Sequence, residues 1–169
     1  NSVEFTTLST IYDSNIDILK ENNHDFSTTE YPGDKEKEFL KNEITKVYKV
    51  LFKKLELWKD ALSNQEEDGD DTRKELRSEY TILKPFGQRA LIKAYLFMKL
   101  KYRKNDGSAF SDTDIFEKLN KINWKLENEQ WRGVMTKSGD RIESGKDNLQ
   151  LASKLICHLC GAKIPKEEG

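Results

Sequence analysis

A mainly α-helical, multi-helix bundle-like domain is the fold this sequence predicts, and three features predict it. Apolar residues recur at helical spacing over several stretches, most clearly from Asp34 to Leu62. Only three prolines and nine glycines occur in 169 residues, too few for the many turns of an all-β fold. Hydrophobic residues make up 36% of the chain and charged residues 35%, so a solvated surface must enclose a core of large side chains. Eight Phe, six Tyr and three Trp supply that bulk. The expectation is one helical domain over residues 1–169, long enough to bury a genuine core.

The elements follow in order. From Thr6 or Thr7 to about Asn22, Leu8, Ile11, Tyr12, Asn15, Ile18 and Leu19 trace one helical face, with Ile16 off it. Asn22 to Thr29 reads as a loop, closed by Pro32-Gly33. The domain is expected to be organised around the next stretch. There Leu40, Ile44, Val47, Leu51, Leu55, Trp58 and Leu62 share one stripe, widened by Phe39, Tyr48 and Phe52. That spacing predicts a single helix over 34–62, with Asp34 accepting hydrogen bonds from the first free N–H groups. Lys46, Lys49, Lys53 and Lys59 fall largely off the stripe, on the face left to water.

Ser63 to Asp71 reads as a connection. Its acidic run, Glu66 to Asp71, lacks the alternating acids and distant Glu of a calcium loop, so solvation is the better reading. Arg73 to Tyr80 is a short helix or turn with Leu76 and Tyr80 inward. Pro85 suits the first turn of a helix running to about Arg103, with Ala90, Leu91, Ala94, Phe97 and Met98 as its core stripe. Ser111 is placed as an N-cap, Asp114 sits three residues on, and Phe110 can staple to Ile115 across the cap. Gln130 to Met135 reads as extended, and Ser138-Gly139-Asp140 turns it back toward Arg141-Ile142, so a small β-hairpin is expected near 131–143. A last helix, Lys146 to Cys160, buries Leu149, Ala152, Leu155, Ile156 and Leu159, with Gly161 as its cap.

The net charge of −1 predicts no global attraction to nucleic acid or to an anionic membrane. A local patch is another matter. Lys99, Lys101, Arg103 and Lys104, interleaved with Tyr95 and Tyr102, are candidate DNA contacts, cations for phosphate and rings for stacking. The competing reading is that cations gather at a helix C-terminus, where the dipole favours them. The apolar run Ala90 to Leu100 is interrupted by Lys93 and Lys99 and is too short to span a bilayer, so no membrane partner is expected. The opening residues are neither basic nor apolar, which does not match a signal peptide, and two closely spaced Cys fit a reducing cytoplasm.

Cys157-His158-Leu159-Cys160 has the spacing of a zinc half-site. A structural site needs four ligands, and only distant His24 remains, so Cys157 and Cys160 are read as packing residues with metal as the alternative. Gly139 and Gly145-Lys146 are separated by five residues rather than four, and Asp147 stands where a phosphate loop needs Ser or Thr. There are two His and no Gly-x-Ser-x-Gly elbow, so no catalytic residue and no cofactor are assigned.

Leu119-Asn120-Lys121-Ile122-Asn123-Trp124, Trp131-Arg132-Gly133-Val134, Gly139-Asp140-Arg141-Ile142 and the stretch Asn148 to Leu159 resemble the C-terminal region of DNA sulfur-modification (phosphorothioation) proteins of the Dnd B type. Trp124, Trp131, Gly133 and Asn148 are the family-motif residues of that resemblance. Phe5 to Tyr12 resembles the segment after those proteins' signature domain. The resemblance implies a bacterial or prophage-borne protein accompanying DNA-modification and restriction clusters, whose B-type members are DNA-associated transcriptional regulators. The wider group carries an Asp-Gly-Gln-His-Arg (DGQHR) signature in a ParB-like domain. That signature is absent here: Phe86-Gly87-Gln88-Arg89 has Phe for Asp and lacks the His.

The chain opens on Asn1 and is read as the C-terminal fragment of a longer protein. The expectation is an accessory, non-catalytic module whose partners are the N-terminal part of its own chain, DNA, or a second copy. A rival expectation is part of an enzyme whose active site lies mainly in an N-terminal ParB-like domain, with Trp124, Trp131 and Arg132 facing a substrate. A small zinc-binding domain is the third.

Overall fold

The computed structural model describes residues 4–24, 32–63, 69–137 and 145–165. Among these the chain is mainly α-helical: α1 (Leu8–Glu21), α2 (Asp34–Lys54), α3 (Glu56–Ser63), α4 (Gly69–Glu79), α5 (Pro85–Leu100), α6 (Asp112–Leu119) and α7 (Lys146–Leu159). Short 3-10 turns occupy Thr81–Leu83 and Glu129–Trp131. Two strands of two residues, β1 (Arg103–Lys104) and β2 (Ala162–Lys163), pair antiparallel with Arg103 opposite Lys163. No helix among the described residues is long and apolar enough to cross a membrane.

The organising helix is α5, not the 34–62 stretch. From Gly87 to Met98 every residue of α5 except Arg89 and Lys93 is buried. A helix covered on all sides must be central, and α1, α6, α7 and the Thr81–Leu83 turn all pack against it. Gly87 admits the Thr81–Leu83 turn against α5. A Cβ there would lie 2.0 Å from the Thr81 carbonyl oxygen.

α2 lies outside this hub and buries only Val47 and Leu51 fully. The expected single helix is two, broken at Leu55, whose ψ of 108° is extended. The break has a tertiary cause. Asn120 Oδ1 accepts from the Glu56 N–H at 3.1 Å, and Asn120 Nδ2 donates to the Lys54 carbonyl at 3.0 Å. Both groups would bond within an unbroken helix, and Asn120 replaces those bonds. Past the break Trp58 turns inward and donates its indole N–H to the Ile82 carbonyl at 3.1 Å. The N-cap of α2 is Gly33 rather than Asp34, which is the first helical residue and pairs with Lys37 at 3.2 Å.

α1 also departs from its pattern. It starts within the expected bounds, capped by Thr7, and Ile18 and Leu19 are buried. Leu8, Ile11 and Tyr12, predicted to face the core, are exposed instead, Leu8 at 83%. Thr10, Ser14 and Asp17 point inward in their place. α5 presents cations to that face: Arg89 bonds Asp13 at 2.9 Å and Asp17 at 2.7 Å, and Lys93 meets Glu21 at 3.2 Å. Partly buried charges need partners, so this ladder, not the apolar periodicity, sets the rotation of α1.

Ser111 and Asp114 form the expected capping box, each accepting from the other's backbone N–H, and Phe110 and Ile115 are both buried beside it. The predicted extended run at 130–135 is a turn. The Trp131 carbonyl accepts from the N–H groups of Val134, Met135 and Thr136, which curls the chain. Residues 138–144, with the remainder of the expected hairpin, lie outside the described residues, as do residues 66–68 of the acidic run. α7 begins after Gly145 and ends at Gly161, whose φ of +81° directs the chain into β2.

Candidate nucleic-acid interface and the motif tryptophans

The segment after α6 holds the two tryptophans singled out in the sequence. Their rings stack with centroids 5.2 Å apart and planes 3° from parallel. Trp124 donates its indole N–H to the Leu119 carbonyl at 2.9 Å, and Trp131 donates to the Asn123 carbonyl at 3.0 Å. Backbone bonds pin the same loop to the hub: the Thr81 N–H and hydroxyl both donate to the Trp124 carbonyl. Trp124 and Trp131 are 4% and 0% exposed, so both rings belong to the core. Arg132 does point to solvent, with Glu129 at 3.9 Å. Gly133 takes φ +76° and donates to the Thr136 carbonyl, which closes the turn. Asn148 is half-buried in the first turn of α7.

Phe86-Gly87-Gln88-Arg89 is a set of structural ties. Gly87 admits the Thr81 carbonyl, Gln88 donates to the Phe5 carbonyl at 2.8 Å, and Arg89 holds Asp13 and Asp17. Their resemblance to the signature is one of letters. The Gln88 and Arg89 side chains both bind other parts of the same chain.

Lys99, Lys101, Arg103 and Lys104 are brought together, and acids come with them. Lys99 pairs with Asp112 at 2.8 Å, Lys104 with Asp114 at 2.9 Å, and Lys101 with Glu21. Arg103 donates to the Tyr102 carbonyl at 3.1 Å. The Ser111 hydroxyl, and after it Lys104, hold the Asp114 carboxyl well below the usual carboxylate range. Tyr95 and Tyr102 are buried, and burial followed by the neighbouring Asp112 pushes the Tyr95 phenol far up. This cluster sews α5 and β1 to α6 and α1, and an acid meets each of its three lysines.

A second group of cations has an acid at one member alone among the described residues. Between Glu43 and Glu56 the chain carries Lys46, Lys49, Lys53 and Lys54 and no acid. All four are exposed. Lys46 pairs with Glu43 on its own helix. Among the described residues, no ion pair joins Lys49, Lys53 or Lys54 to an acid. The sequence placed Lys46, Lys49 and Lys53 toward water but did not mark them as a site, because their isolation depends on where Glu56 and Asp60 go. Those acids line a cleft of about 280 Å³ with Asn120, Asn123, Trp124 and Lys125.

The cysteines are packing residues. Both are buried, and the Cys157 thiol donates to the Ala94 carbonyl at 3.4 Å. Burial pushes the Cys160 thiol up to about 12 and the Cys157 thiol further. Zinc binds thiolate, which this environment disfavours. Among the described residues no three His, Cys, Asp or Glu side chains gather as a metal site.

One family pattern, DndB, described as DNA-sulfur modification-associated, matches residues 1–163. No curated protein and no solved structure gives a significant match.

Proposed function

Because the chain belongs to the DndB family of DNA-sulfur modification-associated proteins, we propose that it is an accessory, non-catalytic module that associates with duplex DNA and helps regulate or recognise it. The observation that carries the non-catalytic part is the use made of the motif residues. Trp124 and Trp131 are spent on a stacked pair inside the core, Asn120 on the helix break, and Gly133 on a turn. Residues kept for chemistry need polar atoms directed at a reacting group, and these direct theirs at the chain's own backbone. In this reading the module works in a reducing cytoplasm, beside the remainder of its own chain or a second copy.

The test is binding of the purified chain to a labelled duplex, followed by fluorescence anisotropy from low to moderate salt. Association that weakens steeply with salt is expected, since phosphate contacts release counterions. Failure to bind at the lowest salt would overturn the reading.

A further inference from the structure

We infer that the exposed lysine face of α2, formed by Lys46, Lys49 and Lys53, is the surface that grips the phosphate backbone of duplex DNA. This inference rests on the DNA-associated reading above and names the face it would use.

Helix geometry puts the three lysines within an arc of about 60° and spreads them over about 10 Å of axis. One strand of a duplex presents roughly three phosphates over that distance. Lys54 lies off the arc at its C-terminal end. A bland account is that the α2 dipole attracts cations to its C-terminus. That effect fades within the last turn, so it covers Lys53 and Lys54 but not Lys46 or Lys49.

The break at Leu55 is what keeps this face positive. In an unbroken helix Glu56 would lie three residues after Lys53 and Asp60 seven after it, both in or beside the same arc. Asn120 bonds the two ends of the break, and Glu56 and Asp60 line the cleft on the Asn120 side. The α2 acid nearest these lysines in sequence, Glu43, meets Lys46 through an ion pair three residues apart. Such a pair contributes only tenths of a kcal/mol and yields readily to phosphate.

The alternatives fit less well. The Lys99–Lys104 group has carboxylates on each of its lysines. A membrane-surface helix needs a continuous free apolar face, whereas α2 turns Val47 and Leu51 into the core and its exposed Phe39 and Phe52 lie about 140° apart around the helix.

The experiment compares duplex binding across a salt series for three proteins. They are the unaltered chain, a variant with Lys46→Gln, Lys49→Gln and Lys53→Gln, and a control with Lys20→Gln, Lys74→Gln and Lys125→Gln. The control changes net charge equally at exposed lysines elsewhere. The α2 variant should flatten the slope of log affinity against log salt by about 2 to 3 and weaken binding at least tenfold near 0.1 M salt, while the control shifts the slope by less than about 1. Equal slopes for variant and control would overturn the assignment and leave the DNA reading standing. No binding by the unaltered chain would overturn the DNA reading itself. Tighter lysine-dependent binding to single-stranded RNA of the same length would overturn the choice of duplex DNA.

Discussion

Asn120 and Glu56 meet across a break in the helical run, the Asn120 side-chain oxygen accepting from the Glu56 N–H at 3.1 Å. The same carboxamide donates to the Lys54 carbonyl at 3.0 Å. Asn120→Ala removes both bonds and should cost about 1 kcal/mol, since these are neutral hydrogen bonds near the surface. Asn120→Asp keeps the acceptor and loses the donor, so it should fall between. Urea midpoints rank the three proteins, and faster amide exchange at Glu56 in Asn120→Ala would locate the loss. An unchanged midpoint in Asn120→Ala would show that the break does not depend on this residue.

Gly87 offers a test in the opposite direction to propensity. On an open helix, Gly→Ala stabilises by about 1 kcal/mol. Here the added Cβ would sit 2.0 Å from the Thr81 oxygen and 3.0 Å from the Ile82 Cα, both backbone atoms that cannot rotate away. Gly87→Ala should therefore destabilise by roughly 1 to 3 kcal/mol, as overpacking does. Thermal midpoints decide the sign, and a rise would mean that the 3-10 turn slides off α5 without penalty.

The buried thiols predict a loss of stability in base. Burial raises the Cys160 thiol from 9.0 to about 12, so the folded state keeps a proton that the unfolded state releases earlier. A folded-state pKa raised in this way contributes in full below the unfolded value and is lost as pH rises through the folded one. Stability should thus fall between about pH 9 and 12, more steeply than in a Cys157→Ala, Cys160→Ala variant. Urea midpoints at several pH values for both proteins give the comparison. Identical pH slopes would mean that the thiols ionise freely in the native state.

The features legible in the sequence were those that a few neighbouring residues complete by themselves. Ser111 and Asp114 cap α6 across three positions, Pro85 opens α5, Gly161 closes α7, and the cysteines follow the apolar face of their helix. The outward face of α1 was not legible, because it depends on Arg89 and Lys93 more than seventy residues away. For the same reason the Lys99–Lys104 group read as an open patch until Glu21, Asp112 and Asp114 were placed against it.

The sequence by itself determined that the protein is helical, where most helices begin and end, and which family it belongs to. Those properties reside in spacing, caps and motif residues that act locally or are read as a string. Tertiary structure alone decided which helix is central and which charges are matched. α5 became the hub once α1, α6 and α7 packed on it. Among the described residues Lys49 and Lys53 meet no acid, and Asn120, contributed from beyond α6, bonds the break that takes Glu56 and Asp60 off their helix face. The physical reason is range. A cap or a helical stripe is completed within a turn or two, whereas the field at a surface depends on every charge the fold brings near it.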